Sequence, residues 1–115
     1  MASKFEQKIN SCEWLLADGA TGTNLFDMGL MSGDAPALWN EKYPEKFVKL
    51  HKDAVDAGSD IFLTNSFGSN ALRLKLHNLG NKAFELSRIS AEIARDVADS
   101  YDEPIFCCWF SRANW

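Results

Sequence analysis

The sequence predicts an α/β fold built on a parallel sheet. Three observations predict it. Short, nearly continuous apolar runs at residues 14–17, at 60–65 and from 104 onward read as strands, the second buried on both faces. Between them lie stretches whose apolar residues recur at helical spacing. Each crossover is long enough to hold a helix and to bring the next strand back parallel to the last. The order is strand, helix, strand, helix, strand, with no internal repeat, low-complexity segment or linker.

Taken in order, residues 3–9 form a short polar helix in which Phe5 and Ile9, four apart, pack across one end of the domain. Residues 14–17, Trp-Leu-Leu-Ala, make the first strand. It runs into Asp18-Gly19-Ala20-Thr21-Gly22-Thr23, a loop in which Gly19 and Gly22 are expected to let the backbone turn sharply. Residues 24–31 hold a helical turn or two ended by Gly29, and 32–37 are irregular. Pro44 suits the first turn of a helix whose stripe is Phe47, Leu50, His51, Ala54 and Ala57, with Gly58 as its stop. Residues 60–65 form the second strand and 70–79 a short helix. Asn81 is expected to cap a longer helix with the stripe Leu86, Ile89, Ile93 and Val97. Pro104-Ile105-Phe106 begins the third strand.

Composition narrows the class. The 115 residues, 46% hydrophobic and 24% charged, suit one small globular domain. A formal charge of −4 argues against a nucleic-acid partner. No apolar run approaches the length needed to cross a bilayer, and residues 1–10 lack the apolar core of a signal peptide, so a cytoplasmic protein is expected. Cys12, Cys107 and Cys108 give no disulfide framework; the adjacent thiols of Cys107 and Cys108 could both bind zinc but lack a third ligand, and neither His51 nor His77 has a second histidine or cysteine at ligand spacing.

The candidate chemistry lies where strands end, because ligands of strand-helix folds bind at the carboxyl ends of the strands. Asp18 sits at the end of the first strand, with the hydroxyls of Thr21 and Thr23 behind it; the plain alternative is a turn whose aspartate caps its own backbone. Thr64-Asn65-Ser66-Phe67-Gly68 ends the second strand. If the two strands are neighbours, their tips offer a carboxylate, hydroxyls, an amide and an aromatic ring to a small zwitterion, with Asp18 taking its ammonium group. Trp39 reads as a loop aromatic, either a lid or ordinary packing. His51 reads as a packed core histidine, His77 as surface, and Lys46, Lys49, Lys52 and Asp53 as a solvated helix face.

Several segments, in order, resemble the start of the homocysteine S-methyltransferase family: residues 15–23 (Leu-Leu-Ala-Asp-Gly-Ala-Thr-Gly-Thr), Leu38-Trp39-Asn40, Pro44-Glu45, Ala57-Gly58-Ser59-Asp60-Ile61, Thr64-Asn65-Ser66-Phe67-Gly68 and Arg73-Leu74. Residues 25–30 and 35–40 look most like bacterial betaine–homocysteine methyltransferases. The resemblance implies about three βα units, residues 1–106, from the amino-terminal part of a TIM (β/α)8 barrel. It implies methyl transfer to the homocysteine thiolate to give methionine, with betaine as donor and methylfolate through cobalamin or S-methylmethionine as alternatives. Asp18, Gly19, Thr23, Trp39, Thr64, Asn65 and Phe67 carry over as substrate-binding residues, Asp18 for the ammonium and Trp39 for the donor's quaternary ammonium. The family's cofactor is zinc, which keeps the sulfur as thiolate, but its cysteine ligands lie beyond this stretch of the fold.

The end of the chain departs from the family. Where relatives read Val-Ala-Gly-Ser-Val-Gly-Pro-Thr-Gly, residues 107–115 read Cys-Cys-Trp-Phe-Ser-Arg-Ala-Asn-Trp. With suitable synonymous codons the same bases, read one position later, spell the family's segment. Residues 107–115 are therefore expected to be an out-of-frame tail, and this chain by itself to be inactive. A non-catalytic binding module derived from the barrel is the other reading.

Overall fold

The computed structural model describes residues 2–12 and 14–109. Helix α1 (Lys4–Ser11) starts in a capping box: the Ser3 hydroxyl accepts from the Glu6 amide at 3.2 Å, and the Ser3 amide donates to the Glu6 carboxylate at 2.7 Å. None of its residues is buried. It lies against the amino-terminal ends of the strands, where Phe5 meets Phe106 edge-on at 5.3 Å and Lys8 pairs with Asp60 at 3.5 Å.

Strands β1 (Ile61–Leu63) and β2 (Phe106–Cys108) are parallel, with Phe62 opposite Cys107 and Leu63 opposite Cys108. Cys107 and Cys108 are therefore rungs of this ladder. The expected first strand is reduced to one parallel bridge, Ala17 to Ile61. Around that bridge the Leu16 carbonyl accepts from the Asp60 and Ile61 amides at 2.8 and 3.1 Å, and the Asp18 amide donates to the Ile61 carbonyl at 2.9 Å. The segment is an edge with no strand beyond it among the described residues. Trp14 and Leu16 stand 68% and 45% exposed there, so little packing extends the pairing. The spatial order is still first segment, β1, β2, each parallel to the next, as the crossovers require.

Helices α4 (Pro44–Asp56) and α6 (Ala83–Asp99) cover one face of the sheet. Pro44 opens α4, as expected, and Gly58 follows its end at φ 114°, a left-handed conformation that glycine adopts freely. Phe62 points into this layer and is fully buried with Val55, Ala94, Val97 and Ile105. A second cluster joins Leu25, Leu30, Trp39, Phe47, Leu50 and Ile93. On α4 the buried stripe is Phe47, Leu50, His51 and Val55, whereas Ala57 is exposed.

Three local expectations are corrected. Helix α2 (Thr21–Asp27) begins inside the expected loop, so Thr21, Gly22 and Thr23 are helical. Its left-handed entry falls on Ala20 (φ 56°, ψ 30°) rather than on Gly19 or Gly22. Asn81 caps nothing: it lies in a 3-10 turn, Gly80–Lys82, and Lys82 precedes α6 without a side-chain cap. Trp39 is not in a loop but opens the short helix α3 (Trp39–Lys42) and is 6% exposed. The remaining helix, α5 (Ala71–Lys75), is capped by Asn70, whose side-chain oxygen accepts from the Arg73 amide at 3.0 Å.

Candidate functional site

Asp18 leaves the bridged segment at the carboxyl end of the sheet. Its Oδ1 accepts from the Leu63 amide at 3.2 Å, so the carboxylate spans the gap to the last residue of β1. Among the described residues its Oδ2 accepts no hydrogen bond. Burial pushes the Asp18 carboxyl's pKa above its usual value, against the opposing pull of the backbone amides of Leu63 and Asp18 itself. A half-buried carboxylate fixed through one oxygen by a backbone amide is suited to a cationic ligand. Asp18 and Gly19 border a hollow of about 340 Å³ whose other walls include Asn24, Met28, Leu50 and Ala54.

The next residue of β1's chain, Thr64, is buried; its amide donates to the Cys108 carbonyl at 3.0 Å, and its hydroxyl lies 2.6 Å from that of Ser66. Thr64 faces a different hollow, of about 490 Å³, shared with Cys107, Trp109 and the α6 residues Arg88 and Arg95. Asp18 and Thr64 thus stand on adjoining strand tips, linked through Leu63, but open into separate hollows. Asn65 is tied down. Its amide nitrogen donates to the Asn40 side-chain oxygen at 2.9 Å and to the Pro36 carbonyl at 3.0 Å, and its own carbonyl accepts from Asn40 at 3.0 Å. Phe67 lies beneath Arg73, whose guanidinium carbon is 5.0 Å from the ring centre. Thr23 is exposed on α2.

Trp39 has its ring face covered by the Lys46 ammonium at 4.4 Å, and Tyr43 meets it edge-on at 5.2 Å. Lys46 is therefore not part of a solvated face, unlike Lys49, which forms an exposed ion pair with Asp53. The residue that sequence reasoning passes over is Asn40. It is 1% exposed and bridges Asn65 to the Leu86 carbonyl of α6. An asparagine inside a helical turn gives no sequence signal for such a bridge, because its partners lie 25 and 46 residues away.

The described residues do not fit a metal ion. Among the described residues no three His, Cys, Asp or Glu side chains converge. Cys107 packs on the helix-facing core, and alternation along β2 turns the adjacent Cys108 to the opposite face.

Fold and site together define an α/β protein with a carboxylate and hydroxyls at the carboxyl tips of adjacent parallel segments. The chain belongs to the homocysteine S-methyltransferase family, whose sequence profile matches residues 15–111. It is 34% identical over 96 residues to a methionine synthase of Mycobacterium leprae and 32% identical over 96 residues to one of Mycobacterium tuberculosis. Each match takes in 78% of this chain but 8% of the relative. Among solved structures it resembles the homocysteine methyltransferase MmuM from Escherichia coli in its metallated form, at a TM-score of 0.78 and 22% identity over 93% of this chain and 40% of that one. The oxidized form of MmuM gives a TM-score of 0.67 at 28% identity, over 81% of this chain and 33% of that one.

Proposed function

We propose that the intact protein transfers a methyl group to the sulfur of homocysteine, giving methionine, on a (β/α)8 barrel to which residues 1–106 contribute about the first three βα units. Asp18 holds the substrate's ammonium group through Oδ2 while Leu63 keeps Oδ1 in place. The sulfur then attacks the methyl carbon of the donor: the new sulfur–carbon bond forms as the bond between that carbon and the donor breaks. Thr64 stands at the adjoining strand tip but opens into a separate hollow, and Asn65 acts by holding the loop after β1 rather than by touching substrate. The single observation that carries the reading is the Asp18 carboxylate fixed by the Leu63 amide at the strand tip of a chain from this family.

Zinc, in this reading, would supply the thiolate form of the sulfur. No ligand set for it is present among the described residues, so no step here runs through a metal. Betaine as donor rests on the likeness of residues 25–30 and 35–40 to the betaine-using enzymes; the covered face of Trp39 does not add to it.

The test is methyl transfer by the intact protein from labelled betaine, methylfolate or S-methylmethionine to homocysteine. Labelled methionine is expected. Replacing Asp18 by alanine removes a charge-assisted hydrogen bond of about 1.5–3 kcal/mol, so kcat/KM should fall about ten- to a hundredfold. An Asp18→Ala enzyme as active as its parent would remove the assignment.

A further inference from the structure

The rings of Trp39 and Tyr43 stand 74° apart, two walls of a corner. The Lys46 ammonium sits in it, 4.4 Å from one ring centre and 4.8 Å from the other. It also donates a hydrogen bond of 2.8 Å to the carbonyl of Met28, the residue that closes α2. Among the described residues Lys46 forms no ion pair. Its charge is balanced by two ring faces and by one of the carbonyls that a helix end leaves without an internal donor.

We propose that Trp39, Tyr43 and the Met28 carbonyl form a binding site for a primary ammonium group, which the chain fills with its own Lys46 and thereby closes to a quaternary ammonium. The chemistry selects the occupant. A primary ammonium gives the rings its charge and the carbonyl an N–H; a quaternary ammonium gives only the charge and leaves a part-buried acceptor without a donor. The site goes beyond the homocysteine reading, and its test uses no homocysteine, so either can fail alone.

The experiment titrates n-butylammonium and tetramethylammonium into the parent chain and into K46A, following the indole of Trp39 and the ring of Tyr43 by NMR. The parent should show no saturable change with either cation. K46A should bind n-butylammonium at least about tenfold more tightly than tetramethylammonium, the worth of the hydrogen bond to the carbonyl. If K46A does not fold alone, n-butylammonium but not tetramethylammonium should restore its folded spectrum. The proposal is overturned if the parent binds tetramethylammonium at Trp39, if folded K46A binds neither cation or both alike, or if unfolded K46A is rescued by neither.

Discussion

Asn40→Ala is expected to destabilise the protein by about 3–5 kcal/mol, the range for breaking a buried polar network. The Asn40 amide nitrogen donates to the Asn65 and Leu86 carbonyls at 3.0 and 3.1 Å, and its oxygen accepts from Asn65 at 2.9 Å. One side chain thus joins α3, the loop after β1, and α6. Alanine removes three hydrogen bonds and takes a donor from two carbonyls, one of them in a buried bond, beside a side chain that is 1% exposed. Urea unfolding should show a lower midpoint at unchanged slope. Asn65→Ala should cost less, and the double variant should cost less than the two together, because they share one side-chain hydrogen bond. A change below about 1 kcal/mol for Asn40→Ala would contradict this account of the network.

The second large effect is a loss of stability in acid that a single residue carries. His51 is 2% exposed, stacked on Phe62 with ring centres 4.5 Å apart and tilted against Phe47 at 5.9 Å. Its Nδ1 has no hydrogen-bond partner among the described residues. Burial among these rings penalises the charged imidazolium and pushes the His51 pKa from 6.5 down to about 4. The folded protein therefore holds His51 neutral where the unfolded chain is already protonating. The unfolded state binds more protons between the two pKa values, so stability falls as pH drops from 6.5 to about 4 and this contribution then levels off. Each tenfold weakening of proton binding is worth about 1.4 kcal/mol, so the loss between pH 6.5 and about 4 comes to about 3 kcal/mol. His51→Leu should flatten the stability profile across the window, whereas the carboxylates, common to parent and variant, cancel in the comparison. Equal slopes in parent and variant would show that His51 does not carry the effect.

The helical part of the fold is legible in the sequence because its signals are local. Pro44 opens α4, Gly58 ends it, and Phe47, Leu50 and His51 recur on the buried face. The stripe of α6 emerges in the same way at Leu86, Ile93 and Val97. The first strand is less legible because its length depends on a neighbour, which its own residues do not encode; an apolar run of four residues forms one bridge. The start of α2 is hidden by Gly19 and Gly22, which suggest that the turn belongs to them when Ala20 takes it. The place of Asp18 at the tip of the sheet is legible from an apolar run ending on Asp-Gly. The partners of Trp39 are not, because Pro44 separates α3 from α4 and interrupts the helical spacing that would place Lys46 over the ring. Asn65 resembles a ligand group in the sequence because a polar residue at a strand end looks the same whether it faces a substrate or holds a loop.

The central claim, that Asp18 at the tip of the sheet receives an amino acid's ammonium group, is tested most directly at the amide it contacts. Homocysteine titrated into the chain should shift the Leu63 amide resonance saturably, and the des-amino analogue mercaptobutanoate should not. Asp18→Asn should weaken homocysteine at least about tenfold. Because burial raises the Asp18 pKa, binding to the parent should begin to fail at a higher pH on acidification than an exposed aspartate would require. Homocysteine binding as tight in Asp18→Asn as in the parent, or a des-amino analogue that binds equally well, would contradict the claim.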